Sequence, residues 1–508
     1  MRIQRNKNLI LGDFQKILGG EKVEVDKESI DYIQKSFGFL QEFSNHKTIY
    51  GINTGLGPMA QYKVDEDKQV ELQYNLIRSH CAGSGHRISD IYVKAAMICR
   101  LRSIIQGISG IHPSTALLLQ ELINRDIYPV IPEHGGVGAS GDLVQLSHMA
   151  LILIGEGSVM YEGKLCPTAE VFEKHGLKPI EVVLREGLSL INGTSVMTGI
   201  GLVNILRAKR LLSWSIIAGA LLSEIVESFS DYFSEELNQV KGHSGQQYVA
   251  AELRSILSDS QLISSREDEF YNHINDRVFR RKVQEFYSLR CVPQILGPVY
   301  DTINYAEQVL LAELNSVNDN PIVSLESGNV FHGGNFHGDY VSLEMDKLKL
   351  VITRLSMIAD RQINFLFNSN LNEKLPPFVN LGVLGLNLGM QGMQFTATST
   401  TAENQSLSSS VYIHSIPTNN DNQDIVSMGT NSALMAARVV DNAFQVISIE
   451  LIGLLQAVDY LKIEDKLSSK TKNIYRKLRT LVPVFVADTP KFEEIERVYS
   501  YIIENKAE

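Results

Sequence analysis

Hydrophobic residues recur at intervals of three and four along most of this chain, the spacing of one face of an α-helix. Between 342 and 366 they are Leu343, Leu348, Leu350, Ile352, Leu355, Ile358 and Ile363, set among charges. Between 431 and 461 they are Leu434, Val439, Val440, Phe444, Ile447, Leu451 and Leu454. The same spacing predicts helices over 93–105, 113–123, 143–154 and 301–314, and a long one within 196–229. Such spans exceed the usual globular helix and predict a bundle of long helices, extended through subunit contacts. Strand-like pieces at 158–161 and 322–325 are too few for a large sheet, so the expected class is mainly α. The charged end, 494–508, reads as a solvated helix.

Composition narrows the field. Of 508 residues, 44% are hydrophobic and 21% charged, as in soluble globular proteins. A net charge of −11 argues against nucleic acid or an anionic membrane as main partner. No secretory h-region and no apolar run near membrane-spanning length is evident. The richest stretch, 211–222, is short and follows Arg207, Lys209 and Arg210, so it reads as a core helix. Four cysteines without a CxxC pair suit reduced thiols in the cytoplasm and give no zinc framework. His332, His337 and Asp339 are the best metal candidates, but the glycines between them break helical ligand spacing. No metal is expected.

Turn-rich stretches interrupt the helices at 50–57, 135–141, 191–194, 331–339 and 414–429. The densest is Gly135-Gly136-Val137-Gly138-Ala139-Ser140-Gly141-Asp142. Gly136 to Gly141 satisfies G-x-G-x-x-G, with Glu156 and Glu162 near the distance of a ribose partner. That motif requires a preceding buried strand, and Pro129 and Pro132 demote one; an NAD-binding oxidoreductase is thus disfavoured. A second reading makes Ser140 or Asp142 the N-cap of the helix that follows. A third is chemical. The unhindered nitrogen of Gly141 attacks the Ala139 carbonyl, and loss of two waters, one from the Ser140 side chain, leaves an electrophilic methylene on an imidazolone ring.

Beside GGVGASGDL stand YGINTGLG (50–57), NLIRSH (75–80), INGTS (191–195), YSLRCVPQILGP (287–298), NDNP (318–321), GGNFHGD (333–339) and NQDIVSMG (422–429). Across nearly its whole length the chain resembles the histidine, phenylalanine and tyrosine ammonia-lyases that carry the 4-methylidene-imidazole-5-one (MIO) group. The resemblance implies an MIO group built from Ala139, Ser140 and Gly141, with no diffusible cofactor. It also implies a fumarase/aspartase-like architecture, although the G-S-S-x-M-P-x-K-x-N loop of the fumarases is absent. Residues 1–200 would form a smaller domain bearing the MIO group, and 201–508 the long-helix bundle and C-terminal helices. The family forms homotetramers whose sites draw on three subunits.

The resemblance also implies roles. The substrate amine adds to the methylene, and Tyr50 as a phenolate removes a weakly acidic β-proton, helped by helix N-termini that point inward. Arg290 clamps the substrate carboxylate as a planar, bidentate donor. Asn192 hydrogen-bonds the MIO carbonyl, and Gln284 and Tyr287 stand beside the group and the substrate. Phe336 walls the ring pocket, Asn318 supports the site, and Gly57, Glu403 and Gln423 match positions near the substrate.

His80 bears on selectivity, because phenylalanine-specific members carry an apolar pair at Ser79-His80 and histidine- or tyrosine-using members carry His. A buried polar group left unpaired by phenylalanine is penalised. Asn422 to Met428 lacks the histidine of histidases and is one residue shorter. In that stretch and in overall length the chain resembles bacterial tyrosine ammonia-lyases, a resemblance that implies tyrosine as substrate and trans-p-coumarate as product, with histidine and an aromatic aminomutase as alternatives.

Overall fold

The computed structural model describes residues 1–45, 47–271, 277–279 and 281–507. Helices dominate, and every predicted long helix is present. They are Asp90–Ile104, Pro113–Asn124, Leu143–Leu153, Ser195–Ile225, Val292–Leu314, Asp339–Phe367 and Gly429–Leu461. Ser195–Ile225 stops short of 229 because Glu227 turns into the left-handed region at φ 55°. The charged end carries Phe492–Glu504, amphipathic with Val498 and Ile502 buried; Glu508 lies outside the described residues.

Several further helices lie outside the predicted set, among them Lys27–Phe43, Gln69–His80, Ser244–Leu257, Ser469–Arg479 and Gln391–Leu407, of which the last is the least legible. Threonine, serine and asparagine hide its periodicity, and it buries only Met393, Ala397, Thr401 and Asn404, a single narrow stripe. Asn404 explains the burial of polar surface. Its side-chain amide donates to Ser356 Oγ (2.9 Å) and the Val439 carbonyl (3.1 Å).

Among the described residues, strands are short and occupy four small sheets. Tyr128–Pro129 runs antiparallel to Ser158–Tyr161, which pairs antiparallel with Lys164–Pro167. The segment before the glycine cluster is therefore no central parallel strand, and a dinucleotide-binding βαβ unit is not formed.

Two compact units emerge. The first comprises Met1–Asn204, Ala306–Asp346 and Ser410–Ala437; the second comprises Ile205–Tyr305, Lys347–Ser409 and Arg438–Glu508. Inside the first, helix Asp90–Ile104 is buried from Tyr92 onward, carrying Lys94, Arg100 and Arg102 into the interior. Arg185 and Asp319 form a fully buried ion pair at 2.9 Å. Arg185 also donates to the Ser109 carbonyl (2.6 Å) and the Asn320 carbonyl (2.7 Å). A pair this well met fixes the 318–320 turn, and removing either partner would strand a charge at a cost of about 3–5 kcal/mol.

Candidate active site

In the first unit, the chain enters helix Leu143–Leu153 through a kink at Gly141, whose φ of 71° is left-handed. A Cβ on Gly141 would stand 1.9 Å from the Gly193 carbonyl oxygen, so only glycine fits. Gly193 is bonded to the same segment twice. Its N–H donates to the Ser140 carbonyl (3.2 Å), and its carbonyl accepts from the Asp142 N–H (2.8 Å).

A third segment closes over the first two. Gln423 Nε2 donates to Ser140 Oγ at 3.4 Å, its own Oε1 held by the Thr418 hydroxyl at 3.1 Å. The Met428 N–H donates to the Val137 carbonyl at 3.1 Å. Motifs almost 300 residues apart in sequence are thus laid side by side.

Asp142 corrects the N-cap expectation. It stands at the start of helix Leu143–Leu153, but with φ −94° and ψ 41° its side chain makes no capping bond there. Its carboxylate instead accepts from the N–H groups of Val196 (2.7 Å) and Met197 (3.0 Å) and from the Thr430 hydroxyl. It caps the first turn of Ser195–Ile225. Complete burial raises its pKa to about 6; those three hydrogen bonds hold it down and nearby Glu313 pushes it further up. Glu313, itself raised by burial, accepts from the Thr194 hydroxyl.

Tyr50 sits on a turn anchored by Ile49 and Ile52, which pack with Leu40, Val323 and Val330. That anchoring leaves the phenol half-buried. The Gly57 N–H donates to its oxygen at 3.1 Å. Gly57 is the first residue of the 3-10 turn Gly57–Met59. Gln73, just before the NLIRSH motif, ties this turn to the next. Its Nε2 donates to the Gly51 carbonyl (2.9 Å), and its Oε1 accepts from the Leu188 N–H (3.2 Å). Leu188 belongs to helix Glu186–Ile191, which ends at Asn192. Asn192 is buried, its carbonyl held by Arg100 Nη1 at 3.0 Å and its side-chain oxygen without a protein partner.

His80 ends helix Gln69–His80. Its Nδ1 lies 2.9 Å from the Leu76 carbonyl and 3.2 Å from the Ser79 hydroxyl; in the neutral tautomer that donates to the carbonyl, Nε2 carries the lone pair. Phe336 is half-buried in the turn before Asp339–Phe367, and Asn318 is buried.

Gln284, Tyr287, Arg290 and Glu403 belong to the second unit. Gln284 and Tyr287 line a cavity of about 670 Å³ with Phe286, Arg361, Asn364 and Phe365. The Arg290 guanidinium stands 4.8 Å from the Tyr287 ring, and its Nε is buried without a partner. Gln362 Nε2 donates to the Ser288 carbonyl (2.8 Å) and so pins the turn that carries both. Glu403 is largely exposed and paired with Arg438 at 3.2 Å.

An MIO group made from the backbone fits what stands at 139–141. The Gly141 nitrogen is unhindered, the kink is already left-handed, and Ala139 is small and buried. The signal for Arg100 and Asp142 was weak in sequence: one is a charge in an apolar helix, the other a presumed cap.

The description "Aromatic amino acid lyase" belongs to the family model that matches residues 9–480. A tyrosine 2,3-aminomutase of Chondromyces crocatus is 40% identical over 488 residues, covering 94% of this chain and 92% of the relative. A histidine ammonia-lyase of Shouchella clausii (strain KSM-K16) is 37% identical over 504 residues, covering 99% and 98%. Among solved structures, tyrosine aminomutase from Streptomyces globisporus superposes with a TM-score of 0.95 at 36% identity, covering 99% of this chain and 97% of that one.

Proposed function

We propose that this chain, which belongs to the aromatic amino acid lyase family, removes ammonia from L-tyrosine and releases trans-p-coumarate. The observation that carries the choice of tyrosine is the hydrogen bond from His80 Nδ1 to the Leu76 carbonyl. It leaves Nε2 as an acceptor, which suits a phenol O–H and has nothing to take from phenylalanine.

Ala139, Ser140 and Gly141 would supply the MIO group, flanked by Gln423 on the serine side chain and by Asn192. When in place, that group supplies an electrophilic carbon that takes up the substrate amine and turns it into a good leaving group. Tyr50 takes the proton from the substrate β-carbon, with the Gly57 N–H aimed at the oxygen that bears the charge once the phenol is ionised. Arg290 holds the substrate carboxylate with parallel N–H donors, its plane set by the Tyr287 ring. Tyr287 and Gln284 line the approach, Phe336 packs against the substrate ring, and Glu403 stays a more distant contributor. The active form is a homotetramer in which three subunits furnish each site, placed in the cytoplasm.

A second reading is favoured by the likeness to tyrosine 2,3-aminomutases. In it the same elimination is followed by return of ammonia to the β-carbon. The histidine ammonia-lyase relatives keep histidine as a third substrate to exclude. Purified protein incubated separately with tyrosine, histidine and phenylalanine distinguishes these outcomes by ammonia, unsaturated acid and β-amino acid. Ammonia and p-coumarate in equal amounts support the proposal. Accumulating β-tyrosine replaces it with the second reading, and urocanate as main product overturns the choice of tyrosine.

A further inference from the structure

Arg100 is buried in helix Asp90–Ile104, 1% exposed, and none of the family motifs includes it. Its Nη1 donates to the Asn192 carbonyl at 3.0 Å, while Nε and Nη2 are buried with no protein partner. A Cβ on Gly193 would fall 2.7 Å from Arg100 Nη1 and 2.5 Å from Asn318 Oδ1. On the opposite side the Gly193 carbonyl oxygen abuts Gly141. Gly193 is therefore pressed between a rigid cation and the serine-bearing triplet, at a φ of 142°. Burial lowers the Arg100 pKa to about 10, and Asp319 opposes that lowering, so the guanidinium stays charged at neutral pH.

We propose that Arg100 is a positioning residue for ring closure: by holding the Asn192–Gly193 backbone, it keeps the Gly193 carbonyl against Gly141 and bends the triplet to the closing geometry. This rests on the MIO reading given above. In the step it serves, the Gly141 nitrogen bonds to the Ala139 carbonyl carbon and passes its proton to that oxygen. The resulting hydroxyl leaves as water with the Ser140 N–H proton, forming a C=N bond. The Ser140 hydroxyl then leaves as a second water with the Cα proton, forming the methylidene. No electrons are gained or lost overall. The backbone bend is the demanding part, and two guanidinium nitrogens left without partners are the sign of an arginine kept for geometry rather than satisfaction.

The test is intact-mass spectrometry on full-length protein sampled at intervals after induction, with near-UV absorbance as a second readout. Wild type is expected to lack the mass of two waters. Arg100→Met, folded by circular dichroism, is expected to retain both waters in most molecules, and Arg100→Lys to convert at least about tenfold more slowly than wild type. If Arg100→Met does not fold, the Arg100→Lys rate decides. Conversion of either folded variant at the wild-type rate overturns the assignment. A wild type that carries its full encoded mass overturns the MIO reading, and this inference with it.

Discussion

The backbone N–H of Gly57 donates to the Tyr50 hydroxyl oxygen at 3.1 Å, closing the eight-residue turn 50–57 on its own phenol. The contact makes Tyr50 an acceptor before any substrate arrives, so its proton is free to point elsewhere. Tyr50→Phe should lower kcat by about 10²–10⁴-fold, the range for a lost general base, with far less effect on KM. Steady-state kinetics on tyrosine checks this; kcat within a fewfold of wild type removes Tyr50 from the proton transfer.

Ser140→Ala should leave the fold intact, because the Ser140 side chain receives only the long bond from Gln423. The near-UV band, the two-water mass deficit and turnover should all vanish together. Retention of turnover without the band would separate the chemistry from this serine.

Exchange of His80 for Phe removes the Nε2 acceptor and fills its space with apolar surface. The ratio of kcat/KM for tyrosine over phenylalanine should fall by about 10²-fold or more, as for other sites built around a substrate hydroxyl. Unchanged preference would show that the ring is read elsewhere.

If three subunits furnish each site, two inactive variants can repair one another. Tyr50→Phe and Arg290→Met protein, unfolded and refolded together, should regain part of the wild-type rate, whereas each refolded alone stays inactive. Absence of any regain in verified mixed oligomers would place both residues in the same subunit's site.

Asp142 gives the pH prediction. Its folded pKa is raised to about 6 from 3.8, so the native state holds a proton that the unfolded state has released across that interval. Stability contributed by the neutral acid is complete below about pH 4 and is lost as pH climbs through 6. Asp142→Asn should flatten the decline between those values, which amounts to on the order of 2–3 kcal/mol. Chemical denaturation at stepped pH measures it; an identical decline in the variant would assign the effect to other groups.

Long apolar repeats placed the long helices from sequence, and glycine-rich and polar stretches marked the turns at 50–57, 135–141, 191–194, 331–339 and 414–429. What they could not convey was adjacency. Asp142 looks like the cap of its own helix, yet its carboxylate serves Val196 and Met197 because Gly141 turns it toward a different one. Arg100 looks like an anomaly in an apolar helix until the Asn192 carbonyl stands against it. Helix Gln391–Leu407 escaped notice because Ser and Thr populate its face, and its burial depends on partners such as Ser356 and Val439.

The closeness of 137–142 to 423–430 also sets an order in time. A chain leaving the ribosome presents Ser140 early, but Gln423, Met428 and Thr430 emerge only after more than four-fifths of the polypeptide has been made. Until then the loop lacks one of its walls. Chains that stop before residue 423 therefore never complete the enclosure, and the ring closure proposed above would be reserved for chains that extend past Thr430.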